Sequence, residues 1–302
     1  MNMAASRSGR GLLWLGFWLL VVFLYAPIIV LGIFSFNDRD IVSFPWQGFT
    51  TRWYSELFSN RQLLDALTTS AWIALVASVI TTILAIPASI VLQRRRFAGK
   101  GMVSGMMLAP LVVPLVVLGT AMLILFNYVN VYLLEPIGLP IEFGSLTLII
   151  AHVIIALPFA ILTLTPRLER IPEAIEEASR DLGANGWTTF WAITFPLLMP
   201  AVVSAFLIVY VISFDEIVLA SFLAGSTTTF PLYVYSQLRL PRQLPQIPAV
   251  AVLVLVVSTI LVVGAEVLRA RSDRVLGEGQ IRVDEDDAEA VPVMAPGRGG
   301  VQ

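Results

Sequence analysis

The segment Ile171–Pro196, IPEAIEEASRDLGANGWTTFWAITFP, is the most informative stretch of this 302-residue chain. Pro172 has a fixed backbone angle and no N–H, which suits a first helical position. Glu173, Glu176 and Glu177 fill the opening turns, where negative charge opposes the positive end of the helix macrodipole. Ile171, Ile175, Ala178 and Leu182 recur at helical spacing along one stripe, with Glu173, Glu177 and Arg180 on another face. Gly183 supplies a C-terminal stop, and Trp187, Phe190 and Trp191 lead into a long apolar run. The spacing predicts a short amphipathic helix over 172–183, too short to cross a bilayer. Such a helix projects from the membrane toward a partner, packs on its own bundle, or lies in the headgroup layer.

The rest of the chain says why a membrane is the reference. Hydrophobic residues make up 57% and charged residues 13%, and the mean hydropathy is +0.84. Soluble domains run near 45–50% and about 25%, so an ordinary water-soluble enzyme is excluded. A crossing helix needs about 20 apolar residues for ~30 Å of hydrocarbon. Uncharged runs supply six, predicting an all-α integral membrane protein with spans near 11–36, 66–93, 102–127, 146–165, 197–223 and 247–268. A seventh run, Ile217–Leu238, turns polar after Gly225, and its remainder reads as an outer loop.

Loop charge sets the orientation through the excess of Lys and Arg on the cytoplasmic side. Arg7 and Arg10 precede span one; Arg94, Arg95, Arg96 and Lys100 follow span two. Arg167, Arg170 and Arg180 lie between spans four and five, and Arg269, Arg271 and Arg274 follow span six. The alternate loops are poorer: Asn37–Asp65 has three arginines against four acids, Tyr128–Gly144 has no Lys or Arg, and 225–246 has Arg239 and Arg242. Both termini are thus expected in the cytoplasm. Residues 1–10 read as a cytoplasmic lead-in, 11–274 as the membrane domain, and 275–302, with Asp284, Glu285, Asp286 and Asp287, as a solvated disordered tail. The first apolar run is too long for a cleaved signal and reads as an uncleaved span. Cysteine is absent, and no metal site is expected.

Glu177-Ala178-Ser179, then Gly183, then Ile193-Thr194-Phe195-Pro196 resembles the EAA motif of ATP-binding-cassette importer permeases. That motif reads Glu-Ala-Ala, three residues, Gly, nine residues, Ile-x-Leu-Pro. Ser179 stands for the third alanine and Phe195 for the leucine, both mild changes. The resemblance extends to Thr69-Ser70 and to Ala88 with Arg94 around span two, and to Leu108-Ala109-Pro110, Pro114 and Gly119 in span three. It implies a type I importer permease fold with six spans and both termini inside. It also implies that Glu177, Ala178, Ser179, Gly183, Ile193 and Pro196 belong to a coupling element docking a cytoplasmic ATPase dimer. Prolines 110, 114 and 158 each remove a helix hydrogen bond, so kinks are expected there.

Ionisable residues within a membrane are the default functional candidates. His152 is the only histidine; it either makes an interhelical hydrogen bond or lines a route. Asp215 and Glu216 fall ~22 Å along the fifth helix from Pro200, at 1.5 Å per residue. Tyr210 and Phe214, one turn apart, are placed to offer aromatic faces to an ammonium. Alternatively the acids cap span five or pair with Arg239 or Arg242. Ser213-Phe214-Asp215-Glu216-Ile217-Val218-Leu219-Ala220-Ser221-Phe222, with the later Tyr-Ser-Gln-Leu-Arg stretch, is similar to the spermidine/putrescine permeases. That likeness implies polyamine cargo, with Asp215, Glu216, Phe214 and Tyr210 on the substrate path.

The chain carries no G-x-x-x-x-G-K-[ST] phosphate loop, so ATP would be used by a partner and no cofactor is expected here. The expected partners are the ATPase dimer, a second permease subunit (a paralogue or an identical copy), an extracytoplasmic binding protein and the bilayer of a bacterial inner membrane, with no nucleic acid. Alternative cargoes are another cation, an amino-acid derivative or an opine. A self-sufficient secondary transporter is disfavoured because no internal repeat is visible. An intramembrane enzyme is disfavoured because one histidine and one acid pair leave little catalytic material.

Overall fold

The computed structural model describes residues 7–39, 43–237, 246–264 and 267. In chain order the α-helices are α1 (Arg7–Phe34), α2 (Arg52–Leu57), α3 (Arg61–Arg94), α4 (Lys100–Leu108), α5 (Leu115–Val129) and α6 (Ser145–Arg170). Then come α7 (Glu173–Asp181), α8 (Gly186–Thr189), α9 (Phe195–Phe214), α10 (Val218–Leu223) and α11 (Phe230–Gln237), and finally α12 (Gln246–Gly264). Among the described residues the only β pairing is an isolated bridge between Asn37 and Phe49. Six segments are long and apolar enough to cross a membrane: Leu13–Phe34, Arg61–Arg94, Leu115–Ile137, Ser145–Arg170, Gly186–Phe214 and Gln246–Gly264. The six-span, all-α expectation holds.

Three packed clusters build the body. Near the basic end, α3, α6 and α9 meet through Ala85, Ala156, Ala160, Leu164, Leu198, Ala201 and Ala205. Alanine dominates because small side chains let helix backbones approach where lipid offers no hydrophobic drive. Toward the other end α10 wedges among α3, α5 and α6 through Ile73, Met122, Leu148, Leu219 and Leu223. A third cluster joins α2, α3, α11 and α12 through Trp53, Leu63, Phe230, Tyr233 and Val250. In contrast, Leu13–Phe34 buries none of its apolar window against this chain.

Several boundaries differ from the sequence reading, each for a local reason. Span two begins at Arg61 rather than 66 because Asn60 caps it, its Oδ1 accepting from the Leu63 N–H at 3.2 Å. Span three is not continuous over 102–127. The chain around Pro110 and Pro114 forms α4, a 3-10 turn at Ala109–Leu111 and an extended Pro114, so the spanning segment starts at Leu115. Two prolines four residues apart each lack an N–H, which ends the ladder rather than bending it. Pro158, by comparison, sits within the continuous α6.

Span four runs on to Arg170, and Arg167 is buried, its Nε donating to Leu197 O at 2.9 Å. It is therefore a helix-packing group and not a loop charge. Span five starts earlier, at Gly186, and stops at Phe214 instead of running through 223. The region after Gly225 is not a plain loop; α11 forms there because Phe230 and Tyr233 are buried against α3 and α12. The loop Asn37–Asp65 likewise contains α2. The tail 275–302, the cluster Arg269, Arg271 and Arg274, and Arg239 and Arg242 lie outside the described residues.

Gly225 closes the turn after α10 with φ +55°, and a Cβ there would sit 2.2 Å from the Phe143 carbonyl oxygen. Left-handed geometry alone costs a side-chain-bearing residue about 1–2 kcal/mol, and the backbone contact adds to it. Gly225→Ala is expected to lower the thermal unfolding temperature of the detergent-solubilised protein sharply. Gly105→Ala, helical with open space around it, is expected to leave it unchanged or slightly raised.

Candidate functional site

The short helix α7 leaves α6 with hardly a break. Pro172 is its N-cap, with φ −61° and ψ 133°, not its first helical residue; the extended ψ turns the chain sharply out of α6. Glu173 and Glu176 occupy the first turn, as macrodipole compensation requires. At the far end Gly183 has φ +89°. Its N–H donates to Arg180 O at 2.8 Å, and the Ala184 N–H to Ser179 O at 3.1 Å. This is the paired closure in which a left-handed glycine satisfies the last carbonyls of a helix. Among the described residues nothing lies within 4 Å of a Cβ built on Gly183, so the backbone angle, not internal crowding, requires glycine.

The polarity of α7 runs opposite to that of a helix packed on its own protein. Ile175 is 41% and Leu182 91% exposed, and Glu177 and Ala178 are also exposed. The side turned inward is polar. Glu176, with 13% of its side chain exposed, accepts from Thr194 Oγ1 at 3.1 Å. Its carboxylate also lies 3.8 Å from Arg94 Nη2 and 3.7 Å from Arg180 Nη2. Arg94, the last residue of α3, pairs through Nη1 with Glu173 at 3.2 Å and donates from Nη2 to Ile171 O at 2.6 Å. Ser179 and Thr189 share a hydroxyl contact of 3.1 Å.

The motif positions thus divide. Glu177, Ala178 and Gly183 present themselves outward, Ser179 faces the chain, Ile193 is half-buried in a π-turn over Phe190–Thr194, and Pro196 is exposed at the start of α9. Sequence reasoning missed Glu176, Arg94 and Thr194 as a unit. Arg94 was legible as one of several positive loop charges and as part of the span-two resemblance, but not as a partner of Glu176. Beside α7, a groove of about 750 Å³ runs between α3 and the α8–α9 segment, lined by apolar side chains such as Val79, Ile83, Ile90, Trp187, Trp191 and Phe206.

The second place is the end of α9. The Asp215 N–H makes the helix's last bond, to Val211 O at 3.3 Å. Glu216 then diverts the chain: its Oε1 accepts from the Leu219 N–H at 2.9 Å, a side-chain bond that competes with helix continuation. The two acids are separated by this break. Glu216 is only 9% exposed, whereas Asp215 is exposed.

Tyr210 and Phe214 stack on each other at 6.3 Å between centroids, continuing to Phe206 on one side and Phe230 on the other. Both rings line a cavity of about 160 Å³ shared with Leu67, Leu253 and Leu261, which neither acid lines. His152 is buried on α6, its Nδ1 2.6 Å from Ser213 Oγ on α9, an interhelical hydrogen bond. Among the described residues no group of three or more His, Asp or Glu is placed to hold a metal.

An interrupted helical bundle with an outward-facing interfacial helix defines the class: a multi-pass membrane permease. Residues 85–274 match the family described as binding-protein-dependent transport system inner membrane component, and the chain belongs to that family, whose members are transport components of the inner membrane and not enzymes. The putrescine transport system permease protein PotI of Escherichia coli (strain K12) is 39% identical over 254 residues, covering 83% of this chain and 88% of that protein. The spermidine/putrescine transport system permease protein PotC of Shigella flexneri is 34% identical over 258 residues, covering 85% and 92%. In fold, the chain is similar to a chain of a bacterial alginate ABC transporter solved with an alginate pentasaccharide-bound periplasmic protein. The TM-score is 0.65 at 17% identity, covering 87% of this chain and 93% of that one.

Removing a charged acceptor from a buried backbone donor costs about 1–3 kcal/mol. Glu216→Ala is therefore expected to lower the unfolding temperature of the purified protein by several degrees, while Asp215→Ala, at an exposed position, leaves it within error. Differential scanning fluorimetry in detergent separates the two.

Proposed function

We propose that the chain is one permease subunit of an ATP-driven importer, receiving its cargo from a binding protein and driven through α7 by a cytoplasmic ATPase dimer. The observation that carries this reading is the reversed polarity of α7. Ile175, Ala178 and Leu182 form an apolar stripe with no cover in this chain, while the polar side is spent on internal contacts. Such a stripe in water marks a protein contact. Glu177 beside it supplies a carboxylate for a basic or amide partner, and Gly183 leaves open backbone at the tip.

A second subunit, identical or paralogous, completes the path. The uncovered α1 supports this, since among the described residues its apolar window is left open to a neighbouring helix. The apolar groove along α3 and α9 is a further wall without cover in one chain.

For cargo the proposal is a polyamine, on the strength of the PotI and PotC relatives. Asp215 is the acid placed to meet an ammonium at the broken end of α9. Glu216 holds the break in shape, and Tyr210 and Phe214 form the neighbouring aromatic wall. The same machinery carrying another small cation or an amino-acid derivative is the outcome to be separated by a substrate panel.

Two measurements test the reading. Glu177→Lys and Gly183→Arg are expected to abolish co-purification of the ATPase while the permease stays folded; retained ATPase would defeat the docking role of α7. Asp215→Asn is expected to lower uptake of labelled putrescine or spermidine about two- to fivefold, the loss of one exposed charge contact worth up to about 1 kcal/mol. Wild-type uptake by Asp215→Asn would remove that acid from the path.

A further inference from the structure

Resting on the assignment of α7 as the docking helix, we propose that Arg94, Glu176 and Thr194 form the joint through which movement of α7 is delivered to α3 and α9. These are positioning residues distinct from the outward-facing motif residues that meet the ATPase.

The geometry places three spanning helices on one carboxylate–guanidinium node. Helix α6 runs directly into α7, with only Ile171 and Pro172 between them. Arg94 closes α3 and holds both ends of that link: the Ile171 carbonyl at 2.6 Å and the Glu173 carboxylate at 3.2 Å. Glu176 lies one turn further along α7. It reaches Arg94 at 3.8 Å and accepts from Thr194, immediately before α9, at 3.1 Å. Arg94 and Glu176 are 11% and 13% exposed at the side chain, so water screens their attraction far less than that of a surface pair.

The stereochemistry favours transmission over mere stabilisation. A guanidinium presents donors in a rigid planar fork. Arg94 uses two of its nitrogens on two different partners, one backbone and one carboxylate, so α3 cannot slide past α7 without breaking both. Thr194 adds a hydroxyl tie on the opposite side, from the π-turn Phe190–Thr194 where the helix is locally wide. Ser179 with Thr189 is a second tie between α7 and the α8 segment. The exposed stripe of Ile175, Ala178 and Leu182 is left free for the partner. One helix therefore has a receiving face and a delivering face. A force applied to the first reaches the body of the bundle through the second.

The test uses the intact complex in proteoliposomes, with its ATPase and binding protein, and reads labelled putrescine imported per ATP hydrolysed. Glu176→Gln and Arg94→Lys are expected to keep the ATPase bound and hydrolysing while imported solute per ATP falls roughly fivefold or more, the lower range of a coupling between two sites. Thr194→Val, which removes only the α9 tie, is expected to shift the ratio in the same direction. A purely structural role would lower assembled complex, uptake and hydrolysis together and leave the ratio unchanged; that result overturns the proposal. If Glu176→Gln does not assemble, an unchanged ratio in Thr194→Val overturns it alone.

Should the wild-type complex hydrolyse ATP without importing putrescine, the cargo is wrong and the coupling is read otherwise. In that case Gln62→Cys, at an exposed position of a chain whose sequence has no other cysteine, reports ATP-dependent change in maleimide reactivity, expected to be lost in the joint variants. Preserved reactivity change there overturns the joint. Failure of the docking reading shows separately, as ATPase retained on Glu177→Lys.

Discussion

Within hydrocarbon a backbone N–H or C=O has no water to turn to, so every such group must be satisfied inside the protein. That constraint shapes this chain more than any single contact. It makes the spans helical, and it makes each interruption of a span a place where something else must supply a partner. The break after α9 is the clearest case. Where the ladder stops, the Glu216 carboxylate takes the Leu219 N–H, Thr147 donates to the Leu223 carbonyl at 2.8 Å, and Ser70 accepts from the Phe230 N–H at 2.8 Å. Three side chains from three elements hold the broken backbone. Such a segment is a built feature, fixed at its two ends by Glu216 and by Thr147, which also caps the start of α6.

The same accounting separates Asp215 from its neighbour. Adjacent acids look equivalent in sequence, but a helix end gives them opposite fates. One residue is still in the last helical turn with its side chain outward, and the next is turned in and consumed by backbone. At the other end of the bundle the logic is repeated with charge. Glu176 and Glu177 are also adjacent; one is nearly buried and paired to Arg94, the other exposed. In one place a helix break and in the other a 100° step around a helix divides an internal fastening from a group presented to something outside the chain.

This division marks how far the sequence could be read. Counting apolar runs found six spans because hydrocarbon thickness is a one-dimensional requirement. The stop at Gly183 was legible because only glycine accepts a φ of +89° cheaply there. The continuity of spans three and five was not legible. Pro110 and Pro114 are compatible with a kink or a full break, and only packing of α10 against α5 and α6 decides whether a chain leaving α9 at Asp215 turns back. Helix α11 was hidden because its first residues follow three threonines, and its stability comes from Phe230 and Tyr233 meeting α3 and α12 rather than from its own pattern. The Arg94–Glu176 pairing joins residues 82 positions apart, a separation that a single sequence without variation across relatives does not bridge.

For a carrier of cations, the placement of Asp215 has an energetic logic. A charge entering a pore must find enough attraction to repay part of its lost hydration, yet not so much that it stays. A buried carboxylate such as Glu216 would offer less, since its Oε1 already accepts from the Leu219 N–H and part of its field is spent on the backbone. A deep isolated acid would hold an ammonium too tightly and would itself be costly to leave unpaired after release. An exposed acid beside a helix break meets both limits on the proposed reading. Water hydrates it when the path is empty, so release carries no large penalty, and the rigid break fixes its position so that attraction is not diluted by motion. The specificity for a longer polycation would then come from spacing between such weak sites, one per subunit or per binding-protein contact, rather than from the strength of any one of them.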